Sequence, residues 1–256
     1  MNILKNKKKL VSVLSFGIFA LTALSACPST PTNPGTIDLK AFAITDISGG
    51  KSNVSVMLNW NNVLGSKYFS IEKSQDGGSP INIGISKIET TSYEDVNLSE
   101  KASYLYYIDA LDSDNKIVAS TKTGDVKPIS SNELVAPVIE KLKGDNNLNT
   151  ISRRELISWS TTKDADLYYV TVINDNSNKR IFGAFTKDKS LSLDVTSSPI
   201  NPPEVLKSKL PVAIAGLEPA VKHTLIVYSL KFNNSENFDN ATSIGMSPSA
   251  PVKVSL

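Results

Sequence analysis

From residue 36 onward the apolar positions recur every second residue. In VSVMLNWNNV, Val54, Val56, Leu58 and Trp60 alternate with polar or smaller neighbours, the period of a half-buried strand rather than of a helix. KYFSIEKSQDGG follows, with Phe69 and Ile71 on one face, Ser70 and Glu72 on the other, and a glycine turn at its end. Next come INIGIS, the polar stretch ETTSYEDVNL, and YLYYIDALDSDNKIVAST, which reads as two strands around an Asp/Asn turn. In that hairpin Tyr104, Tyr106, Ile108 and Ala110 share a face. Almost nothing falls at helical spacing, so the pattern predicts an all-β chain of short strands.

The same order returns after residue 133. RRELISWS carries Leu156 and Trp159 where MLNW carried Trp60, DLYYVTVINDN stands for KYFSIEKSQDGG, and KRIFGAF stands for INIGIS. GLEPAVKHTLIVYSLKFNNSEN then answers NLSEKASYLYYIDALDSDNK. Two copies of one supersecondary pattern point to a duplicated domain. The second copy is longer, and its excess falls around DVTSSPINPPEVLKSKLP, residues 194–211, where Pro199, Pro202 and Pro203 forbid a continuous central strand. The expectation there is an extended surface loop with one helical turn at PEVLKSK, acting as plain spacing or disorder or as a functional element.

Both halves resemble fibronectin type III domains, a family with a tryptophan on its second strand and a Leu-x-Pro-x-x-x-Tyr corner entering its sixth. Trp60 and Trp159 hold the tryptophan positions. In the second half Leu217 and Pro219 keep the corner spacing, with His223 where tyrosine is expected; in the first half Leu98 and Tyr104 are kept, and Glu100 replaces the proline. The resemblance implies two tandem immunoglobulin-like β-sandwiches, over residues 36–128 and 134–256. In such a corner a ring packs in the sandwich while its polar tip bonds backbone. The intervening 129–133 lies in the short, proline-bounded VKPISSNELVAPVI, which predicts sandwiches joined end to end with limited swing.

Ahead of the repeats, MNILKNKKK supplies a positive n-region and LVSVLSFGIFALTAL an apolar run too short for a comfortable membrane span. The run ends in Leu24-Ser25-Ala26-Cys27, which resembles the bacterial lipobox, where a signal peptidase cuts before a cysteine acylated through its thiol. The resemblance implies removal of residues 1–26 and lipidation of Cys27, leaving 27–35 (CPSTPTNPG) as an extended tether. The other reading is an ordinary signal cut near Ala26 that leaves Cys27 a free thiol. Acyl chains would add about 0.8 kcal/mol of membrane affinity per buried methylene.

Charge changes meaning once that segment is set aside. Four of the 27 basic residues (Lys5, Lys7, Lys8, Lys9) and none of the 25 acids lie within it, so the remainder carries 23 basic against 25 acidic residues. A near-neutral surface gives no footprint for nucleic acid. Catalytic chemistry is equally sparse. His223 is the only histidine and Cys27 the only cysteine, so triads and histidine metal sites lack material. Gly50-Lys51-Ser52 has Thr45 where a P-loop needs glycine, Ser70-x-x-Lys73 sits on a strand, and Asp112, Asp114 and Asn115 read as a turn rather than a calcium loop. No catalytic residue, cofactor or metal is expected.

What remains is surface. Tyr107 is expected to point outward beside Tyr68 on the neighbouring strand, a face suited to sugar rings or to a protein. The sequence thus predicts a non-enzymatic binding, adhesion or display module, anchored to a membrane of the bacterial envelope and facing away from the cytoplasm, with an envelope protein or a glycan as partner. The alternatives are a carbohydrate-binding accessory protein of a glycan-degrading system and a passive spacer of the envelope.

Overall fold

The computed structural model describes residues 35–48, 50–140, 149–150, 154, 156–161, 163, 165–201, 204–207, 209–214 and 221–255. The strands of the first repeat are β1 (Lys40–Ser48), β2 (Lys51–Asn59), β3 (Tyr68–Gln75), β4 (Ile81–Lys87), β5 (Ser92–Leu98), β6 (Tyr104–Leu111) and β7 (Ile117–Lys122). Those of the second are β8 (Val138–Ile139), β9 (Asn149–Thr150), β10 (Leu156–Ser160), β11 (Leu167–Asn174), β12 (Lys179–Thr186) and β13 (Ser190–Ser192). After the single helical turn α1 (Glu204–Lys207) come β14 (Ala213–Ile214), β15 (Lys222–Phe232), β16 (Ser243–Pro248) and β17 (Val252–Ser255).

Each repeat folds as a sandwich around inward-facing rows of apolar side chains, seen most plainly in the strict alternation of β2 and β6. In the first, β1-β2-β5 face the sheet β4-β3-β6-β7. The space between is filled by Val56, Leu58, Trp60, Phe69, Ile71, Tyr104, Tyr106 and Ile108. In the second, the sheet β13-β10-β8 faces β14-β12-β11-β15, around Ile157, Trp159, Tyr168, Val170, Val172 and Val227. The two tryptophans sit alike: Trp60 meets the edge of Phe69 at 5.6 Å between ring centres, and Trp159 meets Tyr168 at 5.3 Å.

The sandwiches are joined edge to edge, not end to end as the linker suggested. β1 of the first repeat pairs in parallel with β16 of the second, Ala43 opposite Ser243 through Asp46 opposite Met246. One ten-stranded sheet therefore runs through both repeats in the order β14-β12-β11-β15-β16-β1-β2-β5, with β17 also paired to β15 and β9 paired to β17. Pairing two edge strands removes two rows of unpaired backbone groups at once.

A third core lies on one face of this shared sheet. Phe42, Ile44 and Met57 of the first repeat pack with Leu167, Tyr169, Phe185, Leu230, Phe232 and Met246 of the second. Leu206 and Leu210 close over them, with Ile200 beside. The stretch expected as an extended surface loop is thus partly a covering layer, since residues this apolar gain more from burial than from water.

Candidate functional site

The outward face of β4-β3-β6-β7 is the surface the sequence singled out, and its register places each residue. Tyr68 lies opposite Lys87 and Leu111, and Leu111 lies opposite Ile117, forming one rung. Ser70 and Asp109 form the next, and Glu72, Tyr107 and Lys122 the one after. Tyr68 and Tyr107 therefore share a face but stand two rungs apart, roughly 13 Å at strand rise, instead of side by side. Around Tyr68, 39% exposed, apolar side chains stand among polar ones such as Lys87: Ile117 is 59% exposed and Ile85 68%. Around Tyr107, half-buried, it is charged.

The two corners differ in outcome. Tyr104 is buried, its hydroxyl accepts from the Ser99 N–H at 2.7 Å and donates to the Ser99 carbonyl at 3.1 Å, while half-buried Leu98 packs on the same core. Burial pushes the Tyr104 phenol up in pKa. His223 is fully buried at the matching place on β15, and neither ring nitrogen has a hydrogen-bond partner among the described residues. Leu217 and Pro219, the rest of that corner, lie outside the described residues, as does Cys27 with the signal and nearly all of the tether. Both Trp60 and Trp159 keep an indole N–H without a partner among the described residues.

The junction carries side-chain contacts that sequence reasoning missed. Glu100, standing where the corner proline was expected, instead holds the linker: its carboxylate accepts from the Ser131 N–H and hydroxyl at 2.8 Å each, and from the Ser52 hydroxyl at 3.0 Å. Desolvation raises the Glu100 pKa, yet these donors outweigh it and hold the group below the usual carboxylate range. The Thr45 hydroxyl donates to the Ile129 carbonyl at 2.7 Å, and Ile129 and Leu134 lie against Gly245 of β16. A Cβ at Gly245 would stand 2.6 Å from Leu134 Cδ1 and 2.9 Å from Ile129 Cγ2, so only glycine admits the linker here.

On the opposite face, Lys209 reaches from the covering layer to Glu94 on β5, Nζ to Oε1 2.8 Å. The Ser55 hydroxyl donates to the same oxygen at 2.9 Å. Burial raises the Glu94 pKa, but the Lys209 and Ser55 contacts prevail and lower it. Asp46 of β1 shows the reverse: burial raises its carboxyl, and the nearby Lys209 charge only partly opposes this. Tyr169 donates to the Pro211 carbonyl at 2.8 Å, and burial pushes its phenol up to about 12 against the opposing Arg180 charge. Gly183 leaves room for that contact, because any Cβ there would collide with Tyr169 Oη and the Pro211 carbonyl.

Among the described residues no three His, Cys, Asp or Glu side chains gather to hold a metal ion. Asp112 instead accepts from the Asp114 and Lys116 N–H groups at 2.8 and 2.9 Å, closing the turn between β6 and β7.

No family profile matches the chain, and no curated protein matches it. Among solved structures it is similar to a two fibronectin type III domain segment from chicken tenascin, at 12% identity, with 86% of this chain and 97% of that one covered and a TM-score of 0.31. A cytokine receptor complex, crystal form 1A, gives 11% identity, 85% and 96% coverage and a TM-score of 0.31. The two-sandwich reading rests on the strand order itself.

Proposed function

We propose that this chain is a lipid-anchored envelope protein whose fused sandwiches form a non-enzymatic module presenting the outward face of β4-β3-β6-β7 to a protein partner. One observation carries the reading. The outward face of β11 and β15 in the second repeat is apolar and covered, whereas the same face of the β4-β3-β6-β7 sheet in the first is left open, with Tyr68 on β3, Ile85 on β4 and Ile117 on β7 exposed. Exposed apolar side chains grouped on one sheet are the usual mark of an interaction surface. The signal, the Cys27 position and the proline-rich tether support the anchor. Confinement by acyl chains raises the effective concentration for any partner on the same membrane.

Photo-crosslinking from position 68 in intact cells tests the binding half. A defined protein adduct is expected, lost in Ile117→Asp. Adducts to glycan alone, or none above background, would overturn it. Fatty-acid labelling that persists in Cys27→Ser would remove the anchor.

A further inference from the structure

We propose that Lys73 and Asp95 condense into an intramolecular isopeptide bond that staples the two sheets of the first sandwich. Lys73 stands on β3 of the four-stranded sheet and Asp95 on β5 of the ten-stranded one, so the pair meets across the sandwich instead of along one surface. Nζ lies 2.8 Å from Asp95 Oδ2, with side chains only 15% and 11% exposed. The Tyr106 hydroxyl donates to the same oxygen at 2.9 Å, and Nζ sits 5.9 Å from the centre of the Tyr104 ring. The Lys73 amine and the Tyr106 hydroxyl thus both contact one oxygen of the Asp95 carboxyl, in a place largely closed to water.

The chemistry balances without a co-reactant. One proton passes from the Lys73 ammonium to Asp95 Oδ2 across their 2.8 Å contact, giving the neutral amine and neutral acid that condense. Nζ adds to Cγ, and a second N–H proton travels through the Tyr106 hydroxyl to Oδ2. The Cγ–Oδ2 bond breaks as Oδ2 leaves as water, and the Nζ–Cγ amide remains. In bulk water such a condensation is disfavoured. Holding the two groups in contact supplies an effective molarity on the order of 10⁵–10⁸ M when the geometry is well aligned, and exclusion of water slows the return. With one cysteine in the whole chain, no intramolecular disulfide can do this work.

Mass spectrometry of the purified full chain reads the bond directly, since the product is lighter by one water. Trypsin no longer cleaves after Lys73, and segment 68–87 appears joined to 88–101. The wild type is expected to carry this loss, Lys73→Arg and Asp95→Ala to lack it, and Tyr106→Phe to acquire it about a hundredfold more slowly, as loss of a positioned proton relay implies. A wild-type chain of full mass that is cleaved after Lys73 overturns the proposal, whether or not any variant folds. Formation at an unchanged rate in Tyr106→Phe overturns the tyrosine relay.

Discussion

The two repeats present the same sheet face to opposite fates. On β3 the outward residues Tyr68, Ser70 and Glu72 meet solvent wholly or in part; on β11 the matching Leu167, Tyr169 and Thr171 are fully buried. On β6 the outward Tyr107, Asp109 and Leu111 are half-buried, while on β15 their counterparts Tyr228 and Leu230 border or belong to the third core and Ile226 is buried. A sandwich has no need of a second apolar face. The second repeat has one because Leu206 and Leu210 cover it and because β1 brings Phe42 and Ile44 alongside. The asymmetry teaches that one sheet face is covered from within the chain in one repeat and left open in the other.

Uncovering the second face should have the largest effect. Leu206→Ala leaves a cavity beneath a side chain with no exposure, a change that costs roughly 2–5 kcal/mol, measured as a lower urea midpoint. Tyr68→Ala, on the open counterpart, should shift it by less than about 0.5 kcal/mol. Gly245→Val comes next: forcing a side chain against Ile129 and Leu134 should cost about 1–3 kcal/mol. Because the clash lies at the β1·β16 joint, the variant should also enlarge in small-angle scattering as the sandwiches part.

The corners give a finer comparison. Tyr104→Phe strands the Ser99 N–H and should cost about 1–3 kcal/mol. His223→Phe loses no hydrogen bond among the described residues and should cost far less, or stabilise. Equal losses in denaturant titrations would show that the imidazole does the phenol's work.

The smallest effect concerns pH at the clasp. Glu94, its pKa lowered in the fold, contributes stability that is present above its unfolded value and lost as pH falls through the folded one. Lys209→Met should therefore cost about 0.2–1 kcal/mol at neutral pH, since both side chains are about one third exposed, and nothing once Glu94 is protonated. Asp46 runs the other way. Its raised pKa costs stability while it is ionised, so Asp46→Asn should stabilise at neutral pH, with the gain vanishing as pH falls through that raised value. Thermal melts across pH 3–8 separate the two signs.

The difference between the faces was partly legible in the residues. YFSIEKSQ alternates, as a strand with one wet face must, whereas LYYVTVIN and KRIFGAFT are nearly continuous in apolar residues, the mark of strands buried on both sides. Pairing DLYYVTVINDN with KYFSIEKSQDGG as equivalents passes over that signal, and the signal does not say what supplies the cover. Leu206 and Leu210 were readable as apolar residues in an insertion, yet nothing local says they fold back over β11 and β15. Glu100 looked like a defect in the corner, and its role became visible only with Ser131 and Ser52 beside it. Lys73 and Asp95 sit far apart in sequence on strands of different sheets, so no spacing rule joins them.

Side-chain alternation and turn residues act over a few neighbours, and for that reason the amino-acid order alone determined the strands, the repeat and the inward rows around Trp60 and Trp159. Which edge meets which, and therefore the parallel seam of β1 with β16 and the face left open on β3, depends on contacts between residues some two hundred positions apart. Such contacts are fixed by total burial and by the pairing of every edge at once, a sum that exists only in the folded chain.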